Sequence, residues 1–153
     1  MIMRIGMRTA ELANMIESKK SEKIEPSRLS GAGLAYLGDA VYELIVREQL
    51  VCTGISDPGK LNRMAIEYVK ATEQSRAVAR IEGLLSEEET AVYKRGRNVS
   101  GLSIPHSAKA TEYRRATGLE ALFGYLYLAG RNGRLRELFT AAFPEVKTDK
   151  DCQ

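Results

Sequence analysis

Hydrophobic positions recur along this chain with the period of an α-helix, most clearly in two long stretches. The first predicts a helix over about 30–52, with apolar residues three and four positions apart at Leu34, Leu37, Val41, Leu44 and Ile45. The second, about 109–130, contains the segment LEALFGYLYL, which is apolar almost all round. A helix of that composition is buried on most sides, so we expect it at the centre of the fold.

Shorter helical patterns fill most of the remaining chain. They predict helices at about 59–68, 70–82 and 134–142, and a short amphipathic helix at 9–18. Ser86 followed by Glu89 is a capping-box pattern that begins a further helix ending near residue 95. The stretch 96–107 is rich in Gly, Ser, Asn and Pro and is the least regular part. No segment alternates like a strand, so the predicted fold class is all-α.

Length and composition are those of one globular domain. The chain has 153 residues, of which 44% are hydrophobic and 28% charged, as in ordinary folded domains. We divide it into an N-terminal extension at 1–28, partly disordered or forming one short helix, a helical domain at 29–143 and a polar tail at 144–153. The net charge of +3 is compatible with binding to nucleic acid but does not establish it.

The lengths of the apolar runs favour a cytoplasmic location. No apolar run approaches the ~20 residues that span a bilayer, and Arg4, Arg8 and Glu11 interrupt what would be the apolar core of a signal peptide. Cys52 and Cys152 lie a hundred positions apart, and we expect both as reduced thiols. With one histidine and no CxxC motif, a zinc site is not expected.

Two carboxylates lie in the most apolar helices, each near a glycine. Asp39 follows Gly38 inside the first long helix, and Glu120 precedes Gly124 in the second. Such acids are commonly solvated residues between core positions. A carboxylate in an apolar helix otherwise needs a partner or a metal ion, and carboxylate oxygens suit Mg²⁺. Composition and spacing leave these two interpretations open.

The motifs around these acids resemble those of one enzyme family. LAYLGDAVYE at 34–43 looks like the signature helix of the ribonuclease III family, and LEALFGYLYL at 119–128 looks like its second catalytic helix. KRGRN at 94–98 and YRRATG at 113–118 also match in the right order. The resemblance covers about residues 29–142. It is closest to the Mini-ribonuclease III form, which has the endonuclease domain without an appended double-stranded-RNA-binding domain.

The resemblance implies that Asp39 and Glu120 are the catalytic, metal-binding acids. They would hold Mg²⁺, with Mn²⁺ as a substitute ion, so that a water is activated to attack a phosphodiester. Larger members of the family carry further acids where this chain has Ala35 and Thr117, which puts a two-metal site in doubt. Gly38 would leave room for metal and phosphate, and Glu43 is not a catalytic position of the family.

Basic residues on both sides of the irregular stretch are candidates for contacts with RNA, since arginine and lysine bind phosphates without regard to sequence. A solvated basic face is the alternative. The match to the family's RGRN region favours RNA contact, with His106 as a weak further candidate. The predicted RNA-binding residues are Lys94, Arg95, Arg97, Asn98, Lys109, Arg114 and Arg115.

The resemblance further implies a homodimer that binds double-stranded RNA, with Tyr36, Leu37 and Tyr42 at the interface or, equally well, in the core. The implied function is Mg²⁺-dependent endonucleolytic cleavage of double-stranded RNA in the maturation of large-subunit (23S precursor) ribosomal RNA, with a ribosomal-protein helper as a candidate partner. The alternative is a non-catalytic RNA-binding or ribosome-associated protein with the same fold. An unrelated helical scaffold would explain the helices but not the paired motifs.

Overall fold

The computed structural model describes residues 9–20 and 24–145. Within these ranges the protein is helical and has no strand, which confirms the all-α prediction. The helices are α1 (Thr9–Lys20), α2 (Gly31–Val51), α3 (Pro58–Val69), α4 (Ala71–Ile81), α5 (Glu87–Arg97), α6 (Ala110–Leu128) and α7 (Asn132–Ala142). Two 3-10 turns, Pro26–Arg28 and Glu82–Leu84, precede α2 and α5. The C-terminal tail beyond residue 145 and the start of the N-terminal extension lie outside the described residues.

Helix starts are set by local hydrogen bonds. The Ser30 hydroxyl accepts from the Gly33 amide at 3.0 Å and begins α2. Asp57 accepts from the Lys60 amide at 2.8 Å and begins α3. Ser86 and Glu89 form the predicted capping box at the start of α5. These caps satisfy amide groups that have no partner within a helix, which is why the predicted starts are close to the observed ones.

Helix α6 is the centre of the fold, as its apolar sequence predicts. It packs against α2, α4, α5 and α7, and the side chains of Leu119, Leu122, Phe123 and Leu126 are almost completely buried. The ring of Tyr42 on α2 packs against Phe123, with ring centres 5.5 Å apart. Because α6 contacts four helices, its buried side chains are held in fixed positions relative to those helices.

An ion cluster joins α5 to α7. The carboxylate of Glu89 is completely buried, and both of its oxygens accept hydrogen bonds at 2.9 Å from the guanidinium of Arg134. Arg131 donates a third at 3.2 Å. The Arg134 hydrogen bonds lower the pKa of Glu89, so this acid is ionised and paired. The cluster therefore fixes the start of α5 against α7.

Two further observations concern membrane-spanning helices and the cysteines. No helix among the described residues is both long enough and apolar enough to cross a membrane. Cys52, which follows α2, is disulfide-bonded, so the expectation of a reduced thiol is wrong at this position. Cys152 lies outside the described residues.

Candidate active site

The site begins with a close crossing of helices α2 and α6. A Cβ atom added at Gly38 would lie 1.6 Å from the carbonyl oxygen of Glu120, and one added at Gly124 would lie 2.1 Å from the carbonyl oxygen of Leu34. Real Cβ atoms do not approach backbone that closely, so both positions need glycine. The expectation that Gly38 makes room for metal and phosphate is therefore wrong, because the space beside it is filled by the backbone of α6.

This crossing brings the two predicted acids together. Asp39 follows Gly38 on the exposed side of α2, whereas Glu120 on α6 is half-buried. Burial raises the pKa of Glu120 to about 7, and repulsion from the Asp39 carboxylate contributes to the rise. The pKa of Asp39 is also raised, by partial desolvation of its carboxyl group and by Glu43. The two carboxylates are thus close enough to interact.

A third helix contributes Gln74, which the sequence analysis did not single out. Its side chain is 2% exposed, and its amide Nε2 donates to Glu120 Oε1 at 3.3 Å. The signal was present in the sequence, because Gln74 is a polar residue in the apolar series Ala71, Val78 and Ile81 of α4. A polar residue at a buried helical position needs a hydrogen-bond partner, and here that partner is a catalytic candidate.

The carboxylates of Asp39 and Glu120 have no cationic side chain as partner among the described residues. Glu43, one turn after Asp39, instead pairs with Arg47 at 2.5 Å. Two adjacent carboxylates without a protein cation repel each other, and a divalent cation would relieve that repulsion. The donor set consists of oxygen atoms, which Mg²⁺ prefers, and two carboxylates are enough because Mg²⁺ retains several waters. The residues therefore fit the implied metal.

The positions where larger relatives carry additional acids do not supply ligands here. Ala35 is buried in the core, and the hydroxyl of Thr117, also buried, donates to the Tyr113 carbonyl within α6 at 3.0 Å. No cluster of three or more His, Cys, Asp or Glu side chains able to hold a metal ion occurs in the described part of the chain. The site thus rests on Asp39 and Glu120.

The predicted RNA-binding residues fall into two groups. Four of them, Arg97, Asn98, Arg114 and Arg115, line a cavity of about 580 Å³ between the end of α5 and the start of α6. Tyr93 and Thr111 also line this cavity. We call it the arginine cleft. Arg97 lies over the Tyr93 ring, with its guanidinium carbon 5.8 Å from the ring centre. Arg114 donates one hydrogen bond to the Val99 carbonyl at 3.1 Å, and Arg115 pairs with Glu82 at 3.6 Å.

The other predicted residues lie outside this cleft. Arg95 donates from one terminal nitrogen to the carbonyls of Ser27 and Leu29, at 2.6 and 2.9 Å, and so ties the segment before α2 to α5. Lys94, His106 and Lys109 are exposed. Lys109 is 3.9 Å from Glu112. The Arg95 side chain is therefore engaged within the protein, whereas the three exposed side chains are accessible to a ligand.

Comparisons with known proteins agree with this architecture. The Ribonuclease III domain family matches residues 32–131. Mini-ribonuclease 3 of Symbiobacterium thermophilum is 47% identical over 117 residues, covering 76% of this chain and 90% of the relative. Mini-ribonuclease 3 of Enterococcus faecalis is 44% identical over 121 residues, covering 78% and 92%.

A solved structure extends the likeness to three dimensions. The crystal structure of a Fusobacterium nucleatum protein superposes with a TM-score of 0.70 at 31% identity, covering 77% of this chain and 94% of that protein. The family model and the relatives thus match most of the helical domain, and the solved structure shares its fold. The chain belongs to the ribonuclease III family of endoribonucleases and, within it, to the Mini-ribonuclease III group.

Proposed function

We propose that this protein cleaves double-stranded RNA with Mg²⁺ held by Asp39 and Glu120. The observation that carries the proposal is the adjacent pair of carboxylates at the α2–α6 crossing, which no cationic side chain of the described residues neutralises. A protein that only bound RNA would place repulsive charge against the phosphates without a benefit. The alternative of a non-catalytic RNA-binding protein is therefore less well supported.

The chain's own residues would bind and orient the reacting groups. Bound Mg²⁺ supplies positive charge that activates a water and offsets the charge developing on the phosphate. Asp39 and Glu120 would hold this ion from two different helices, and the glycine crossing fixes the separation between those helices. Glu120, with a pKa of about 7, must lose its proton before it holds a cation. Mn²⁺, which also accepts oxygen ligands, would substitute.

The arginine cleft is the proposed contact for the RNA backbone. Arg114 precedes Glu120 by six residues on α6, which places it about 9 Å further along the helix axis. Six residues also turn the helix by about 120°, so we propose that the cleft contacts backbone phosphates away from the scissile bond. Arginine is suited to phosphate because its planar guanidinium donates two parallel hydrogen bonds. Asn98 and Thr111 add groups that hydrogen bond to backbone or 2′-hydroxyl oxygens.

We expect Arg97→Gln and Arg114→Gln to weaken binding of duplex RNA and to flatten its salt dependence. Each lost phosphate contact should lower the slope of log K against log salt by about 1, measured by fluorescence anisotropy at several KCl concentrations. Arg136→Gln is the matched control, because Arg136 pairs with Glu48 on a different face. Unchanged slopes in the cleft variants would contradict the proposed contact.

The outer face of α2 is the proposed homodimer interface. Tyr36 is 87% exposed, and Leu44 and Val51 are 62% and 59% exposed along the same face. Such an apolar stripe usually marks an interaction site, and two-fold pairing suits a duplex with two equivalent strands. Of the predicted interface residues, Tyr42 instead belongs to the core, where its hydroxyl donates to the Tyr68 carbonyl at 3.0 Å.

We expect Tyr36→Asp to convert the dimer to monomers and to reduce cleavage of both strands of a duplex. The reason is that a carboxylate would be buried without a partner within the apolar stripe. Light scattering after gel filtration measures the mass. Ile66→Asp, at another exposed apolar position on α3, should leave the mass unchanged. A Tyr36→Asp protein that remained dimeric would exclude this interface.

The biological substrate we propose is the precursor of large-subunit (23S) ribosomal RNA. The support is the family membership together with the arginine cleft, whose side chains suit phosphates and sugars of a duplex rather than particular bases. The protein would then act in the cytoplasm, and a ribosomal protein bound to the precursor is the proposed helper.

The proposed activity is tested with a labelled RNA duplex, the purified protein and MgCl₂. We expect cleavage that stops with a chelator and is absent on the corresponding single strand. Because protons compete with the cation at Glu120, the Mg²⁺ concentration for half-maximal cleavage should fall as the pH rises from 6 to 8. A folded wild-type protein that left the duplex intact in Mg²⁺ would overturn the proposal.

A further inference from the structure

Gln74 lies where α4 packs against α6, with its amide directed at a catalytic acid. Its side chain is 2% exposed, and its Nε2 donates to Glu120 Oε1 at 3.3 Å. Among the described residues it is the only side chain hydrogen-bonded to that carboxylate. Another donor near this carboxylate is Tyr42, whose hydroxyl pKa is raised by burial and, to a smaller extent, by the charge of Glu120. Tyr42 donates its hydroxyl to the Tyr68 carbonyl instead.

We propose that Gln74 is a positioning residue that orients the Glu120 carboxylate for the divalent cation. The amide occupies one oxygen, Oε1, and so restricts rotation of the carboxylate about its terminal bond. The other oxygen, Oε2, has no protein donor in the described part of the chain. This inference rests on the proposed function of the same site. It adds a residue on a third helix to the two that carry the acids.

A glutamine is chemically suited to this role because it orients the acid without cancelling its charge. A lysine or arginine at position 74 would neutralise Glu120 and compete with the metal ion. An aspartate or glutamate would add a third negative charge to a pair that already repels. A neutral amide donates a hydrogen bond to the anion and leaves its charge available. Partners that hydrogen bond to metal ligands commonly tune metal affinity in this way.

A purely structural role for Gln74 would make a different prediction. Burying an amide between helices costs free energy unless it is hydrogen-bonded, so Gln74 could simply satisfy Glu120 and stabilise the α4–α6 contact. Its loss would then lower stability whether or not a metal ion binds. A positioning role requires that metal affinity falls, and that it falls only when position 120 carries a carboxylate.

The test is Mn²⁺ binding to the full chain, with free ion measured by electron paramagnetic resonance and without RNA. Gln74→Met matches the length of the side chain but has no amide. Gln74→Asn keeps an amide but withdraws it by one methylene. Ser75→Ala is the control, because Ser75 is a buried polar residue on the same helix that is hydrogen-bonded to neither acid. Each protein is checked by circular dichroism for the native helical content.

We expect Gln74→Met to weaken Mn²⁺ binding about 10- to 100-fold, Gln74→Asn to weaken it in the same direction, and Ser75→Ala to change it less than twofold. Added to Glu120→Gln, the Gln74→Met substitution should have little further effect. The inference is overturned if either folded Gln74 variant keeps wild-type affinity, or if the loss is equal in the Glu120→Gln background. Failure of the wild type to bind Mn²⁺, or of Asp39→Asn to weaken binding, would instead overturn the proposed function.

Discussion

Asp39→Asn and Glu120→Gln should each lower the rate of duplex cleavage by about 10³-fold or more, because each removes one of the two carboxylates that we propose as ligands of the metal ion. Positive charge at the reacting phosphate is worth several kcal/mol in such reactions, and each 1.36 kcal/mol is a factor of ten. The measurement is single-turnover cleavage of a labelled duplex in saturating Mg²⁺. Substituted proteins that retained more than a tenth of the wild-type rate would exclude the assigned site.

Glu43→Gln is the matched control for this experiment. It removes a carboxylate one turn from Asp39, but that carboxylate pairs with Arg47 rather than with either acid. Its cleavage rate should stay within a few-fold of the wild type. If Glu43→Gln lost as much activity as Asp39→Asn, general loss of negative charge, rather than two specific ligands, would explain the result.

The stability of these variants provides an independent check on the site. The pKa of Glu120 is about 7 in the folded protein, against 4.5 for an ordinary glutamate. Between these values the folded state holds a proton that the unfolded chain has released. The free energy of unfolding of the metal-free protein therefore falls as the pH rises through this window. Glu120→Gln cannot ionise and so avoids this loss of stability. The variant should therefore be more stable than the wild type at pH 8, although it is inactive.

The sequence predicted the helices well because their determinants are local. Residues such as Ser30 and Ser86 cap the helix that immediately follows them, and the apolar spacing within each helix is visible without knowledge of its neighbours. The observed bounds of α2, Gly31–Val51, differ from the predicted 30–52 by one residue at each end. Asp39 and Glu120 were proposed as metal ligands through the family resemblance. The hydrophobic pattern alone did not decide between metal ligands and ordinary solvated residues.

The features that the sequence did not predict depend on contacts between distant segments. Gln74 contacts Glu120 across 46 positions, and Arg95 bonds to the Ser27 carbonyl across 68. A basic run predicts affinity for phosphate but does not show which arginine is already engaged by the protein's own backbone. The reason for Gly38 was likewise hidden, since its neighbour is a carbonyl oxygen on another helix.

Gly38→Ala should destabilise the protein by about 3 kcal/mol or more and abolish cleavage. The added Cβ would lie 1.6 Å from the Glu120 carbonyl oxygen, and backbone cannot move aside as a flexible side chain can. Forcing extra methyl groups into packed interiors costs about 1–3 kcal/mol, and this contact is with backbone on both sides. Urea unfolding followed by circular dichroism measures the loss.

Gly133→Ala is the control, because a Cβ at Gly133 on α7 meets nothing within 4 Å. Its stability should be unchanged or slightly higher, since an exposed glycine within a helix costs up to about 1 kcal/mol relative to alanine. The pair of variants separates two explanations of the Gly-Asp motif. If Gly38 only kept space for metal and phosphate, Gly38→Ala would fold with normal stability and lose activity alone. Loss of both stability and activity shows instead that the glycine sets the separation of α2 and α6, on which the position of Asp39 relative to Glu120 depends.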